Sequence, residues 1–261
     1  FVSFTGSVKA GYEVQKATNN KFISIALELG GKDPAYVRHD ADIEKTVENL
    51  VDGSFFNSGQ SCCGVERIYV DKKIYNNFLE LFINKTYEYK IGNPLNQDTS
   101  LGPVVKLSAA KFIEEQISLA VKQGAKMMID KSKFEYPKEH KNYMVPQVLT
   151  EVNHEMKFMM EETFGPCVGI MSVANDKEGV NLMNDSPYGL TASIWTKDIE
   201  ATEKLGNQVN TGTLFMNRCD YLDPGLSWTG VKETGKGCSL SEIAYEHLTK
   251  PKSFHLRKEL K

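Results

Sequence analysis

Apolar residues recur along this chain with two periods, and the alternation between them predicts its elements. Ile43, Val47, Leu50, Val51 and Phe55 fall three or four residues apart, which puts them on one face of a helix. Asp40 stands ahead of that run as its expected cap, and the helix is directed toward Gly59. From Tyr75 to Tyr89 the same spacing returns, with Phe78, Leu79, Phe82 and Ile83 on one face and Gly92-Asn93-Pro94 as the break. A third helix is predicted from Leu107 to Gln123, carrying Ala110, Ile113, Ile117 and Ala120, with Gly124 as its stop. Shorter helices are predicted at Lys177 to Met183 and Asp198 to Gln208.

Between the helices lie short apolar runs rich in β-branched residues, which predict strands. They are Phe1 to Thr5, Phe22 to Leu27 ending at Glu28, Pro34 to Arg38, Glu66 to Val70, Lys126 to Ile129 and Val145 to Leu149. Cys167 to Val173, Leu190 to Trp195 and Thr213 to Met216 continue the series. The charged stretch Lys131 to Lys141 reads as a surface loop or hairpin, and Phe254, His255 and Leu256 as an edge strand within Lys252 to Lys261. Repeated alternation of strand and helix predicts an α/β fold with a mostly parallel open sheet covered by helices on both faces.

Composition narrows the class. The chain has 261 residues, 41% hydrophobic and 25% charged, as expected of an ordinary globular protein. A formal net charge of −3, with basic residues spread out, gives no polyanion footprint, so nucleic acid is not an expected partner. No apolar run reaches the length of a membrane span, and no membrane partner is expected. Five cysteines, an odd number, without an apparent signal peptide, favour reduced thiols and a cytoplasmic setting.

Two short segments carry candidate chemistry. Leu27-Glu28-Leu29-Gly30-Gly31-Lys32 places a carboxylate beside two glycines, and Gly59-Gln60-Ser61-Cys62-Cys63 places a thiol 34 residues after it. Taken singly, a cysteine is most often a small buried hydrophobe and a glutamate a solvated surface charge. Taken together, a thiolate nucleophile and a carboxylate base suit attack on a carbonyl carbon and activation of a water. Adjacent cysteines lack the gap between metal ligands and no histidine cluster follows, so no metal is assigned. Cys63 is read as a packing neighbour of the nucleophile.

In this order and at this spacing the two segments resemble the active-site signatures of the aldehyde dehydrogenase superfamily. Other segments agree in order: Phe4-Thr5-Gly6-Ser7, Glu161-Glu162-Thr163-Phe164-Gly165-Pro166, Pro187 to Ser193, and Thr211 to Asn217. Trp228 to Gly235 is similar to a further family motif but departs from it at Ser227 and Thr229. The resemblance implies Cys62 as nucleophile, Glu28 as general base, and the Cys62 backbone N–H as an oxyanion donor. It implies that NAD or NADP is held by Gly6 and Ser7 at its pyrophosphate, by Leu29 and Gly30 along the nicotinamide, and by Glu162 and Phe164. The implied reaction oxidises a small aldehyde to a carboxylic acid through a thiohemiacetal and a thioester.

The resemblance also implies an organisation. Residues 1–28 would end a Rossmann-like cofactor-binding domain, 29–226 form the catalytic domain, 227–250 return toward the cofactor domain, and 251–261 form an oligomerisation strand of a homodimer or homotetramer. In the family these motifs occupy the second half of a longer polypeptide, and the family's Pro-Trp-Asn segment, whose asparagine helps bind the oxyanion, is not found in this sequence. The chain is therefore expected to be a catalytic half with a stub of the cofactor domain. Two alternatives stay open: a non-catalytic fragment or structural paralogue, and a cofactor-independent thiol hydrolase. A hydrolase would need a histidine base. The five histidines are at 39, 140, 154, 247 and 255, and His154 alone lies near a site motif.

Overall fold

The computed structural model describes residues 1–137 and 139–259. Its elements in chain order are β1 (Val2–Thr5), α1 (Val8–Thr18), β2 (Ile25–Glu28), β3 (Asp33–Val37), α2 (Ile43–Phe55), β4 (Val65–Asp71), α3 (Tyr75–Thr86) and α4 (Leu107–Lys122). There follow β5 (Lys126–Met127), β6 (Gln147–Thr150), α5 (Lys157–Met160), β7 (Cys167–Val173), α6 (Asp176–Asn184), β8 (Thr191–Trp195), α7 (Ile199–Gly206), β9 (Thr213–Met216), β10 (Gly235–Lys236) and α8 (Ile243–Leu248). The strands form two sheets. A seven-stranded sheet has the order β5-β6-β7-β4-β3-β8-β9, parallel throughout except for β5 against β6. A smaller sheet, β1-β2-β10, pairs β1 parallel and β10 antiparallel with β2.

The large sheet is buried on both faces because successive side chains point to opposite sides of a strand. In β4, Ile68 and Val70 enter one core and Tyr69 the other; in β3, Ala35 and Val37 oppose Tyr36. Val47, Leu50, Val51 and Phe55 of α2, with Phe78 and Phe82 of α3, cover the first face. Ala110, Ile113, Ile117 and Ala120 of α4, with Val180 and Met183 of α6, cover the second. The helical spacing of these residues in the sequence is the spacing of the buried stripe. Among the described residues no helix is long and apolar enough to cross a membrane.

Several expected boundaries move, each for a physical reason. Asp42, not Asp40, caps α2, its side chain accepting from Lys45 N at 3.3 Å. Asp40 instead accepts from the Thr196 hydroxyl and from Lys197 N at 3.0 Å, tying the end of β3 to that of β8. The second strand begins at Ile25, leaving Phe22 exposed. Beyond Met127 the ladder is continued by a side chain: the Gln147 amide donates to Ile129 O at 2.9 Å and accepts from Ile129 N at 3.3 Å. Within 131–141 there is a 3₁₀ turn at Lys131–Lys133 and then irregular chain; Lys138 lies outside the described residues. Residues 251–259 form no strand, because none of the described strands lies alongside to exchange ladder bonds. Phe254 and Leu256 are exposed there, and Leu260 and Lys261 lie outside the described residues.

One buried ion pair joins three separate segments at the amino ends of the central strands. Lys32, immediately before β3, is fully buried and pairs with Glu66 of β4. Its ammonium also donates to the Thr163 hydroxyl at 3.2 Å. Glu66 in turn accepts from Thr163 N at 2.9 Å and from Phe164 N at 2.9 Å, which are main-chain donors leading into β7. Arg67 Nε donates to Lys32 O at 2.9 Å and closes the arrangement from behind.

Removing one partner of a buried pair strands the other charge away from water. Lys32→Met should lower unfolding stability by about 3–5 kcal/mol, far more than a surface Lys→Met change. Urea titration of the two proteins measures it; a loss under about 1 kcal/mol would show that this pair does not hold the segments together.

Candidate functional site

The chain approaches Cys62 through a strained turn. After α2, Asn57, Ser58 and Gly59 take left-handed φ values of 50, 58 and 70° in succession. Non-glycine residues adopt that region only when their surroundings hold them, and such strain gathers at functional sites. The holding contacts are specific. Ser58 Oγ donates to Gly102 O at 2.6 Å, Asn57 Nδ2 donates to Gln60 O at 3.0 Å, and Gln60 Oε1 accepts from Val105 N at 2.7 Å. Gly59 is also required sterically, since a Cβ there would lie 2.1 Å from Gly165 O. The turn before the thiol is thus packed against the turn that carries Glu162.

Glu28 arrives from the other sheet. It ends β2, and its Oε2 and Oε1 accept from Trp228 Nε1 and Ser239 Oγ, each at 3.2 Å. Three residues on, the main chain runs between two other candidate residues. Gly31 N donates to Glu162 Oε1 at 2.8 Å, and a Cβ on Gly31 would stand 2.2 Å from Cys62 O. A Cβ on Gly30 would stand 2.6 Å from Glu162 Oε2. Only backbone fits in that gap. Cys62 itself is half-buried beside a small apolar cluster of Cys63, Leu190 and Trp228.

The electrostatics of the site are set by burial and by a surplus of acids. The Cys63 thiol beside Cys62 lowers the Cys62 pKa by hydrogen bonding, while burial and the Glu28 and Asp220 charges act to raise it. The Cys63 thiol is driven far above the ordinary thiol range by Cys62, by burial and by Asp220. Burial pushes the Glu28 carboxyl up, with the Ser239 and Trp228 hydrogen bonds pulling against it. Glu162 is pushed up to about 7 by burial and by the Glu66 charge, opposed by Gly31 N–H and Lys32. Asp33 is completely buried, accepts from Thr191 N at 3.2 Å and from its hydroxyl, and is held well above the usual carboxylate range by burial.

The structure therefore gathers Cys62, Glu28, Gly30 and Glu162 into one place. Gly6 and Ser7 lie at the end of β1, where Gly6 N donates to Glu28 O at 3.0 Å. Ser7 Oγ accepts from Ala10 N as the cap of α1, whose first turn carries no acidic residue. Leu29 brings only its backbone to the site: its side chain packs under α1 against Gly11. Phe164 has a φ of 53° and stands partly exposed at the rim. His154 is engaged at both ring nitrogens, by Asp185 at 2.7 Å and Tyr69 at 2.8 Å. Those partners leave it no role as base for Cys62.

Sequence reasoning missed Trp228 and Ser239 as partners of Glu28, Asp33 beneath the thiol, and Asp220 beside Cys63. Its one available signal was the departure at Ser227 and Thr229. Those residues bind the loop to itself, Thr229 Oγ1 donating to Gly237 O at 2.7 Å and Ser227 Oγ lying 3.1 Å from Ser241 Oγ.

This geometry can be set beside known proteins. The aldehyde dehydrogenase family model matches residues 1–254. The chain is 31% identical over 252 residues to betaine aldehyde dehydrogenase of Bacillus subtilis, covering 96% of this chain and 51% of that protein. It is 34% identical over 248 residues to 3-sulfolactaldehyde dehydrogenase of Priestia megaterium, covering 95% and 50%. Among solved structures, betaine aldehyde dehydrogenase of Staphylococcus aureus in complex with NAD+ superposes with a TM-score of 0.88 at 31% identity, over 94% of this chain and 49% of that one. NADP-dependent glyceraldehyde-3-phosphate dehydrogenase of Bacillus halodurans, complexed with NADP, gives 0.88 at 31% identity, over 95% and 50%. The chain spans about half the length of the relatives it matches. With the family model covering almost every residue and the fold of solved members reproduced, the chain belongs to the aldehyde dehydrogenase family.

Proposed function

We propose that this chain carries the catalytic half of an NAD(P)-dependent aldehyde dehydrogenase, with Cys62 as nucleophile and Glu28 as general base. The observation that carries the reading is the Gly30–Gly31 backbone running between the Glu162 carboxylate and the Cys62 carbonyl, three residues from Glu28. That arrangement supports reading Cys62, Glu28 and Glu162 as a nucleophile, a base and a ribose-binding acid around one strip of side-chain-free chain. Four named relatives that are themselves dehydrogenases support an enzyme over a non-catalytic paralogue.

The chemistry follows from the groups present. Cys62 Sγ bonds to the aldehyde carbon, and the carbonyl oxygen becomes an oxyanion facing the Cys62 N–H. Bound NAD or NADP supplies the acceptor for the hydride that then leaves this carbon. Glu28 next takes a proton from a water; the hydroxide adds to the thioester, the C–S bond breaks, and Cys62 is returned as thiolate with a carboxylic acid released. Trp228 and Ser239 hold the Glu28 carboxylate in place for that step.

The residues present suit the dinucleotide. Gly30 lets the backbone approach Glu162 where a side chain would collide, Glu162 has Oε1 committed to Gly31 and Oε2 turned toward the Gly30 side, and α1 presents an exposed N-terminus at Gly6 and Ser7. Glu162 and Phe164 would hold the nicotinamide ribose and ring, with the Leu29 and Gly30 backbone beneath. The substrate is a small aldehyde, and a homodimer or homotetramer in the cytoplasm is the assembly this reading carries with it.

Reduced nicotinamide should form only when aldehyde and NAD or NADP are present together, and Cys62→Ser should abolish it. Turnover that survives Cys62→Ser would refute the nucleophile. Glu28→Gln should cost about 10²–10⁴-fold in turnover, while iodoacetamide still labels Cys62. Because burial raises the Glu28 pKa, the native rate should climb with pH through that ionisation and the Gln variant should lack the limb.

Glu162 gives a stability test with its own sign. Its pKa rises from 4.5 to about 7 on folding, so between those values the folded chain binds a proton that the unfolded chain has released. Stability therefore falls as pH rises through that window. Glu162→Gln keeps an acceptor for Gly31 N–H without the charge, and should stabilise the chain above neutrality by on the order of 2 kcal/mol, with little effect in mild acid. Urea unfolding of both proteins on either side of the window decides it, and equal pH dependence would rule the assignment out.

A further inference from the structure

Asp220 touches the residues on both sides of the nucleophile and has no part in the steps above. Its Oδ1 accepts from Ser61 Oγ at 2.9 Å and from Cys63 Sγ at 2.8 Å. The carboxylate is brought there by a loop with left-handed residues at Asn217, φ 53°, and at Asp220 itself, φ 45°. Asn217 is locked by its own amide, which accepts from Thr196 N at 3.0 Å and donates to Thr196 O at 2.8 Å. The adjacent cation, Arg218, lies 3.2 Å over the Tyr221 ring, and no ion pair joins it to Asp220 among the described residues. Asp220 is left with the loop of the nucleophile as its partner.

Cys63 has a single S–H to give. Donated to the Cys62 sulfur, it supports the thiolate; donated to Asp220, it is withheld from that sulfur. A carboxylate is the stronger acceptor of the two while Cys62 is still a neutral thiol. We propose that Asp220 is a positioning residue that controls the nucleophile through Cys63, fixing residues 61–63 and keeping the Cys63 proton away from Cys62 until the thiolate forms. The inference rests on the reading of Cys62 as nucleophile.

The charged and titratable groups facing this cluster come from every side. Glu28 of β2 and Asp33 of β3 face Cys62 and Cys63, Asp52 of α2 and Cys219 face Asp220, and Arg218 acts on Cys219. All the carboxylates oppose a thiolate. Removing one of them by charge alone would therefore speed Cys62 whatever its hydrogen bonds, so the test must separate charge from relay.

The experiment is the pH dependence of iodoacetamide alkylation at Cys62, located by peptide mass spectrometry, in the native chain, Asp220→Asn, Cys63→Ala and the double variant. Asn keeps the acceptor oxygen and the size of Asp without its charge. Asp220→Asn should move the alkylation midpoint to lower pH and speed labelling at neutral pH by about 3–10-fold. Cys63→Ala should move the midpoint upward, and this arm tests the relay without touching Asp220. In the Cys63→Ala background the effect of Asp220→Asn should largely vanish. An equal shift in both backgrounds would overturn the proposal in favour of simple charge repulsion, and no shift in either would reduce Asp220 to scaffold. Failure of Cys62 to label in any variant would bring down the nucleophile reading as well. The expected shifts without aldehyde-dependent turnover would uphold this inference and sink only the proposed reaction.

Discussion

A lysine that follows two glycines and is sealed from water needs a partner, and in this chain its partner organises the site. Lys32 pairs with Glu66, and Glu66 receives the two N–H groups that open the way into β7. A buried charge pair repays its desolvation only when its remaining lone pairs are also satisfied. Here those lone pairs are filled by the backbone of the Glu162 turn, so satisfying the ion pair and placing Glu162 are one requirement. The same holds for Asp33, whose carboxyl is filled by the N–H and hydroxyl of Thr191 at the start of β8. Ligands of open parallel sheets gather at the carboxyl ends of the strands. In this chain the thiol precedes β4, Lys32 precedes β3 and Glu162 precedes β7, so the site sits at the amino ends, where buried carboxylates serve the donors of entering strands.

That arrangement surrounds a thiol with acids. Glu28, Asp33 and Asp220 all act against negative charge on the Cys62–Cys63 pair, and the Cys63 S–H is the group that lowers the Cys62 pKa. The balance therefore turns on one proton and on which acceptor holds it. The hydrogen bond from Cys63 prevails over burial and the acids, so the Cys62 pKa lies below the ordinary thiol value.

Much of the fold was legible because long apolar runs speak plainly. Cys167 to Val173 and Thr213 to Met216 are strands with the bounds read from the sequence, and the stripes on α2 and α4 are the faces that are buried. Misreadings lie where a contact from elsewhere decides. Asp40 resembles a helix cap until Thr196 claims it. At the site, motif spacing singles out Cys62, Glu28 and Glu162, which the fold brings together. Lys32 was in plain view inside its motif, yet lysine is so seldom buried that its position gave no hint of its role. Trp228, Ser239 and Asp220 lie far along the chain from the groups they serve, and only the folded loops reveal them.

The short strand β10 has a consequence for how the Glu28 carboxylate is held in place. Gly235 pairs with the backbone of Glu28, while Trp228 and Ser239, themselves joined by two main-chain bonds of 2.7 and 2.8 Å, grip its side chain. Backbone and carboxylate are thus restrained by one peptide segment, closed on itself like a buckle. Fraying of that buckle would free the carboxylate and unzip an edge of the small sheet in the same event, with the seven-stranded core untouched. Release of the carboxylate and denaturation are separable in such a molecule, and the first can run well ahead of the second.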